Sequence, residues 1–179
     1  MMPFLVAAVA VAFLAAAIDS RTGEIPNWLT LGPLVAGIFG HAAYALAHGA
    51  PAADALESSA GSLFGALACA VIPLILYRQD AIGGGDVKLL AALGAILQWR
   101  WGIEAEMYSF FAAGLLAPAR LAYEGKLFRT LKNAALLAIN PILPKAKRRP
   151  IEPTLLTWFR FGPAIFVGTC VMAYLHWKQ

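Results

Sequence analysis

The sequence predicts an all-α membrane protein, a polytopic bundle of about six transmembrane helices with an amphipathic, basic loop on one side. Three observations lead there. The 179 residues are 60% hydrophobic and 13% charged, with a mean hydropathy of +0.69, whereas soluble domains run about 45–50% apolar and 25% charged. The apolar residues fall into runs close to the length that crosses a hydrocarbon core of about 30 Å. The basic residues gather in the loops between alternate runs, so the net charge of +4 points to anionic lipid headgroups rather than to nucleic acid. Cys69 and Cys170 each lie inside an apolar run with no second Cys or His at ligand spacing. They read as small buried hydrophobes, and neither a disulfide nor a metal site is expected.

The first span runs from Met2 to Ile18 and ends at Asp19. Ala15-Ala16-Ala17 resembles a signal-peptidase site, but no Lys or Arg precedes the run, which argues against a cleaved signal. Such a helix only just crosses the core, so Asp19 is held near the hydrocarbon boundary. A tight polar loop follows to Asn27. In it Pro26 favours an extended residue before it, and Asn27 reads as a helix cap. Trp28 to Ala47 is the second span, opened by an interfacial Trp. After the loop from His48 to Ser58, Ser59 to Tyr77 is the third, with Pro73 expected to kink it.

Arg78 to Gly85 is the central loop, and Val87 to Ile103 the short fourth span, with Trp99 and Trp101 expected at its far interface. Met107 to Tyr123 is the fifth. Between Glu124 and Arg160, Lys126 to Asn140 alternates apolar with basic residues, as in a helix lying in the interface. The basic run Lys145 to Arg149 follows, read as touching lipid headgroups, and Phe161 to Trp177 is the sixth span. Nearly all Lys and Arg lie in the loops after spans one, three and five. The positive-inside rule therefore puts those loops in the cytoplasm and the N-terminus outside.

That topology places Asp19, at the end of span one, on the same side as Asp86, at the start of span four. Ionisable groups at membrane depth are costly and mark functional sites. Two such acids can share one proton. The ionised one then activates water while the protonated one polarises a carbonyl and later protonates the leaving amine. Gly83, Gly84 and Gly85 lack a Cβ and let another backbone come close to Asp86. Lys88 reads either as a snorkelling anchor or as a cation acting on that acid. Glu24, Asp80, Glu124 and Glu152 read as ordinary polar residues, although Glu24 and Asp80 lie beside the two acidic stretches and are placed to attract a basic partner. His41, His48 and His176 lie in or beside the external halves of the spans, away from both acids. No serine-hydrolase elbow, zinc-protease motif or phosphate loop is present.

Asp19-Ser-Arg-Thr-Gly-Glu-Ile-Pro-Asn-Trp-Leu-Thr30 resembles the first active-site motif of the type IV prepilin peptidases. Gly83-Gly84-Gly85-Asp86-Val-Lys-Leu-Leu-Ala-Ala-Leu-Gly94 resembles their GxGD motif, and Phe161-Gly162-Pro163-Ala164 their C-terminal Phe-Gly-Pro segment. The resemblance implies an inner-membrane aspartyl endopeptidase with no cofactor, one that removes the short basic cytoplasmic leader of pilin-like precursors. It implies catalytic roles for Asp19 and Asp86, with Gly83, Gly85, Lys88, Pro26 and Asn27 shaping the loops or the substrate site. The Cys-rich domain that accompanies N-methylation in longer members is missing. Residues 1–179 therefore resemble the short, peptidase-only form found with tight-adherence (Flp-type) pili. Two other readings remain at this point: another GxGD protease, such as a preflagellin peptidase, or a proton-coupled transporter in which the acids relay protons. The absence of an inverted repeat weighs against the transporter.

Overall fold

The computed structural model describes residues 2–128, 130–132 and 160–177. Among them there are helices and no strands: α1 (Met2–Thr22), α2 (Asn27–Ala47), α3 (Ala52–Arg78), α4 (Gly84–Tyr123) and α5 (Gly162–His176). By length and composition α1, α2 and α3 are long and apolar enough to cross a membrane, and α5 is a shorter apolar helix. With few polar side chains to anchor them, these helices turn large hydrophobics such as Phe13, Phe39, Phe64 and Leu115 outward. Inside they bury small residues, Ala8, Ala12, Ala15, Ala66 and Ala92 among them. That is the packing expected where lipid, not water, covers the outside. The all-α membrane fold predicted from the sequence is the one observed.

The element that departs most from expectation is α4. Its helical backbone breaks at Gln98, where φ is 59° and ψ 176°. Past the break the chain doubles back, since a Cβ placed on Gly102 would lie 2.9 Å from the Cα of Gly94. The turn between the fourth and fifth spans is therefore at Gln98, not after Ile103. Trp99 and Trp101 belong to the returning arm. Gln98 and Arg100 are the polar residues at the turn, but Trp99, Trp101 and Ile103 carry the apolar run past them, which is why hydropathy places it too late. The first arm, Gly84 to Leu97, is about 21 Å long at 1.5 Å per residue, well short of a hydrocarbon core of about 30 Å.

A helix break leaves carbonyls without partners, and in an apolar interior each must be satisfied. Here side chains from two other helices do it. The hydroxyl of Ser62 donates to Ala95 O, and His41 Nε2 lies 2.8 Å from Ile96 O. Because a carbonyl only accepts, that nitrogen carries the proton. The imidazole is stacked on Phe4 at a centroid distance of 3.7 Å. Gln98 Nε2 in turn reaches Ser58 O at 3.3 Å. The backbones close up at Gly65 and Gly94. A Cβ on Gly65 would collide with Gly94 O and lie 2.7 Å from both Gln98 C and Trp99 N. His48 bonds Tyr44 O and His176 pairs with Glu104 at 2.8 Å, so all three histidines are held away from Asp19 and Asp86.

Other boundaries shift less. The helix of α1 continues through Asp19 to Thr22. Most of the segment expected as a loop after His48 is the first part of α3. Asn27 is not the cap of α2. Pro26 holds that position with no side-chain cap bond, and the Asn27 side chain is engaged elsewhere. Residues Gly114–Phe159 form a unit distinct from the rest. In its described part Glu124 accepts from Arg120 and Lys126, both at 2.9 Å. Those hydrogen bonds, Lys126 first, hold its carboxyl below the usual range. Most of the expected interfacial helix and the whole basic run Lys145 to Arg149 lie outside the described residues.

Candidate active site

At the end of the bundle opposite Gln98, the last turn of α1, the loop to α2 and the start of α4 enclose a cavity of about 400 Å³. Asp19 and Asp86 both line it, and both are buried, with 5% and 8% of their surface exposed. They are separated by two complete helices in sequence. Pairing α2 with α3 as an antiparallel hairpin returns the chain to the level it left.

Each carboxylate is held by a glycine amide. Gly83 N–H donates to Asp86 Oδ2 at 3.1 Å, closing the turn that starts α4. Gly162 N–H, at the start of α5, donates to Asp19 Oδ2, also at 3.1 Å. Each glycine lies close to the oxygen it holds, tightly at Gly83 and with no room for a side chain at Gly162. A Cβ on Gly83 would lie 3.2 Å from Asp86 Oδ2, and one on Gly162 would lie 2.8 Å from Asp19 Oδ2. Gly85 faces the loop from the other side, where an added Cβ would lie 3.1 Å from Ile25 Cβ.

The loop from Gly23 to Asn27 forms the opposite wall. Gly23 takes φ +78°, where a side chain would be strained. The Thr22 hydroxyl knots the loop to α1, lying 3.0 Å from both Ile18 O and Glu24 O, either of which accepts its one proton, and accepting from Glu24 N–H at 3.3 Å. Pro26, extended at φ −68° and ψ 144°, then starts α2. Across the cavity Lys88 Nζ donates to Asn27 Oδ1 at 2.8 Å, tying α4 to the start of α2. Lys88 is thus bonded to an amide oxygen. Arg160, just before α5, donates to the carbonyl of Ser20 and draws that segment onto α1.

All seven residues singled out from the sequence, Asp19, Pro26, Asn27, Gly83, Gly85, Asp86 and Lys88, line this cavity. Gly84, named there with its neighbouring glycines, and Glu24, read as a polar residue placed to attract a basic partner, line it as well, while Gly23 and Ile25 were not singled out. Their place in the same polar stretches was the available signal. Asp80, set beside Glu24 in that reading, is not among the lining residues. Gly162 was legible only as part of a motif, with no hint of what its amide does. Among the described residues, no three His, Cys, Asp or Glu side chains converge as metal ligands would.

A family model described as the type IV leader peptidase family matches residues 6–118, a stretch that contains Asp19, Asp86 and the whole lining of the cavity. The chain belongs to the type IV leader peptidase family. No curated protein and no solved structure matches it. As a type IV leader peptidase family member it is a protease, a hydrolase embedded in a membrane, and its family implies a pilin-like precursor as substrate. The matched stretch ends before α5, so the leader peptidase match does not include Gly162.

Proposed function

We propose that this leader peptidase is an aspartyl endopeptidase that cuts the basic leader from Flp-like prepilins and pseudopilins at the cytoplasmic face of a bacterial inner membrane. In this reading residues 1–179 form one peptidase domain without a methyltransferase activity. The observation that carries the reading is the convergence of Asp19 and Asp86 on one partly closed cavity.

Two carboxyl groups in a poorly hydrated site share a proton, because both cannot ionise cheaply. The ionised member takes a proton from water as the water oxygen attacks the scissile carbonyl. The protonated member donates to the carbonyl oxygen. As the tetrahedral diol collapses, the C–N bond breaks, the carboxyl that took the water's proton passes it to the leaving amine, and a diol hydroxyl returns its proton to the other carboxylate as the new C=O forms. The pair thus ends with the proton count it began with, and no metal or cofactor is required. Which member acts as acid and which as base belongs to the pair rather than to either residue. The pilin's hydrophobic helix would stay in the bilayer beside the bundle while its leader enters the cavity. Glu24 on the cavity wall supplies a negative charge towards a basic leader.

The test is cleavage of a pilin-like precursor co-expressed with the protein and read by mass. The wild type should shorten it by its leader, and Asp19→Asn or Asp86→Asn should each leave it whole. Full processing by either variant would end the two-acid mechanism, and activity lost to a chelator and restored by zinc would replace it with metal chemistry.

A further inference from the structure

We propose that Gly162 is a positioning residue for Asp19, so that the working site needs the start of α5 as well as the two segments that carry the acids. This rests on the leader-peptidase reading and adds to it a third segment that the matched residues 6–118 do not contain.

The first turn of α5 has very few amide protons to give. Pro163 has none, and the amides of Ala164 and Ile165 both donate to Phe161 O, at 3.0 and 3.1 Å. Phe161 makes no side-chain cap bond. The N–H of Gly162 is therefore free to leave the helix, and it goes to Asp19 Oδ2. A helix N-terminus carries partial positive charge, so this donor favours a negative oxygen. The bond is buried, and no other side-chain hydrogen bond to Asp19 is seen among the described residues. It fixes which of the two oxygens is occupied and leaves the other for a water or a carbonyl.

The parallel with Asp86 makes this more than a helix cap. In both cases a glycine amide takes Oδ2 at 3.1 Å. In both, a Cβ on that glycine would press on the same oxygen. A catalytic pair needs both carboxyls in fixed orientation, and two donors with matching geometry provide it. The glycine also sets the approach: on Gly162 a Cβ would lie 2.9 Å from Asp19 Cβ, so any side chain there pushes α5 away from α1.

The experiment uses the full chain in detergent or liposomes with a pilin-like precursor. Incorporating glycolic acid at position 162 turns the amide into an ester, removing the N–H without adding an atom. The expected result is a fall of about tenfold or more in kcat per mole of folded enzyme, with KM within about twofold, the pattern of a lost transition-state orientation. Gly162→Ala should lower kcat further. Gly168→Ala, on the same helix but facing Ser109, where its Cβ would lie 2.6 Å from the Ser109 Cα, should lower the yield of folded protein and leave its kcat unchanged. Wild-type kcat in the ester variant overturns the inference while leaving the aspartates' role intact. So does a rise in KM alone, or kcat loss in Gly168→Ala equal to that in Gly162→Ala. Failure of the wild type to cleave overturns the leader-peptidase reading, and the inference with it.

Discussion

The two ends of the bundle use the same kinds of residue for opposite purposes. At the Gln98 end, glycines and buried polar side chains close a gap. Gly65 and Gly94 bring backbones together, and Ser62 and His41 satisfy the carbonyls that the break in α4 leaves open. At the other end, glycines and buried polar groups keep a gap open. Gly83 and Gly162 aim their amides at carboxylates that line a cavity of about 400 Å³. Buried polarity is therefore not in itself a mark of chemistry in this protein. Open space does not separate the ends either, since a cavity of about 660 Å³ lies beside Gln98, but its acids, Asp54 and Glu57, are exposed, whereas Asp19 and Asp86 are buried where they line theirs.

Substitutions should sort by end. The largest effect is expected from Asp19→Asn and Asp86→Asn, each lowering the cleavage rate by about 1,000-fold or more while thermal unfolding in detergent stays where it was. A large drop in melting temperature would mean these carboxyls hold the fold together, and the contrast between the ends would fail. Next is Gly65→Leu, which overpacks the crossing with Gly94 and Gln98. It should cost about 3 kcal/mol or more and remove most folded protein. His41→Ala should cost about 1–3 kcal/mol by leaving Ile96 O without its donor, with kcat per folded enzyme unchanged. A loss of kcat without a loss of stability would tie His41 to the reaction.

Smaller effects come from the rim of the cavity. Glu24→Lys should raise KM for a basic leader by about threefold to tenfold, a surface-charge effect of roughly 1 kcal/mol that fades at high salt, whereas Asp80→Lys should raise it less. Equal effects at both positions would indicate a diffuse field rather than a contact on the cavity wall. The smallest is the Lys88–Asn27 bond. A double-mutant cycle with Lys88→Met and Asn27→Ala should give a coupling of about 0.2–1 kcal/mol in stability.

The end with the two aspartates was far more legible in the sequence than the Gln98 end, and the reason is physical. Asp19, Asp86 and the glycines before Asp86 are costly or unusual beside apolar helices, so they stand out without coordinates. The length of the first run and the sidedness of the charges already put both acids together. At the Gln98 end nothing is unusual residue by residue. His41 and Ser62 look like incidental polar groups until the break at Gln98 shows which carbonyls need them. The break itself was hidden because Trp99, Trp101 and Ile103 continue the apolar run beyond Gln98 and Arg100, and because no Gly or Pro stands at the residue that takes positive φ. Asn27 was misread for a related reason. A residue suited to capping was bonded to Lys88, which lies 61 positions away, and composition does not reveal that competition.

The first arm of α4 is short, about 21 Å at 1.5 Å per residue, and it is jacketed by protein rather than by lipid: Leu89, Leu90, Leu93 and Leu97 are each at most 1% exposed. Asp86 is thus mounted on a core helix whose neighbours leave it no room to swing. Asp19 stands near the last turn of α1 and takes its tether from a segment 143 positions away. Of the two acids, the second is bolted down and the first is moored, so a docking precursor would disturb residue 19 before residue 86.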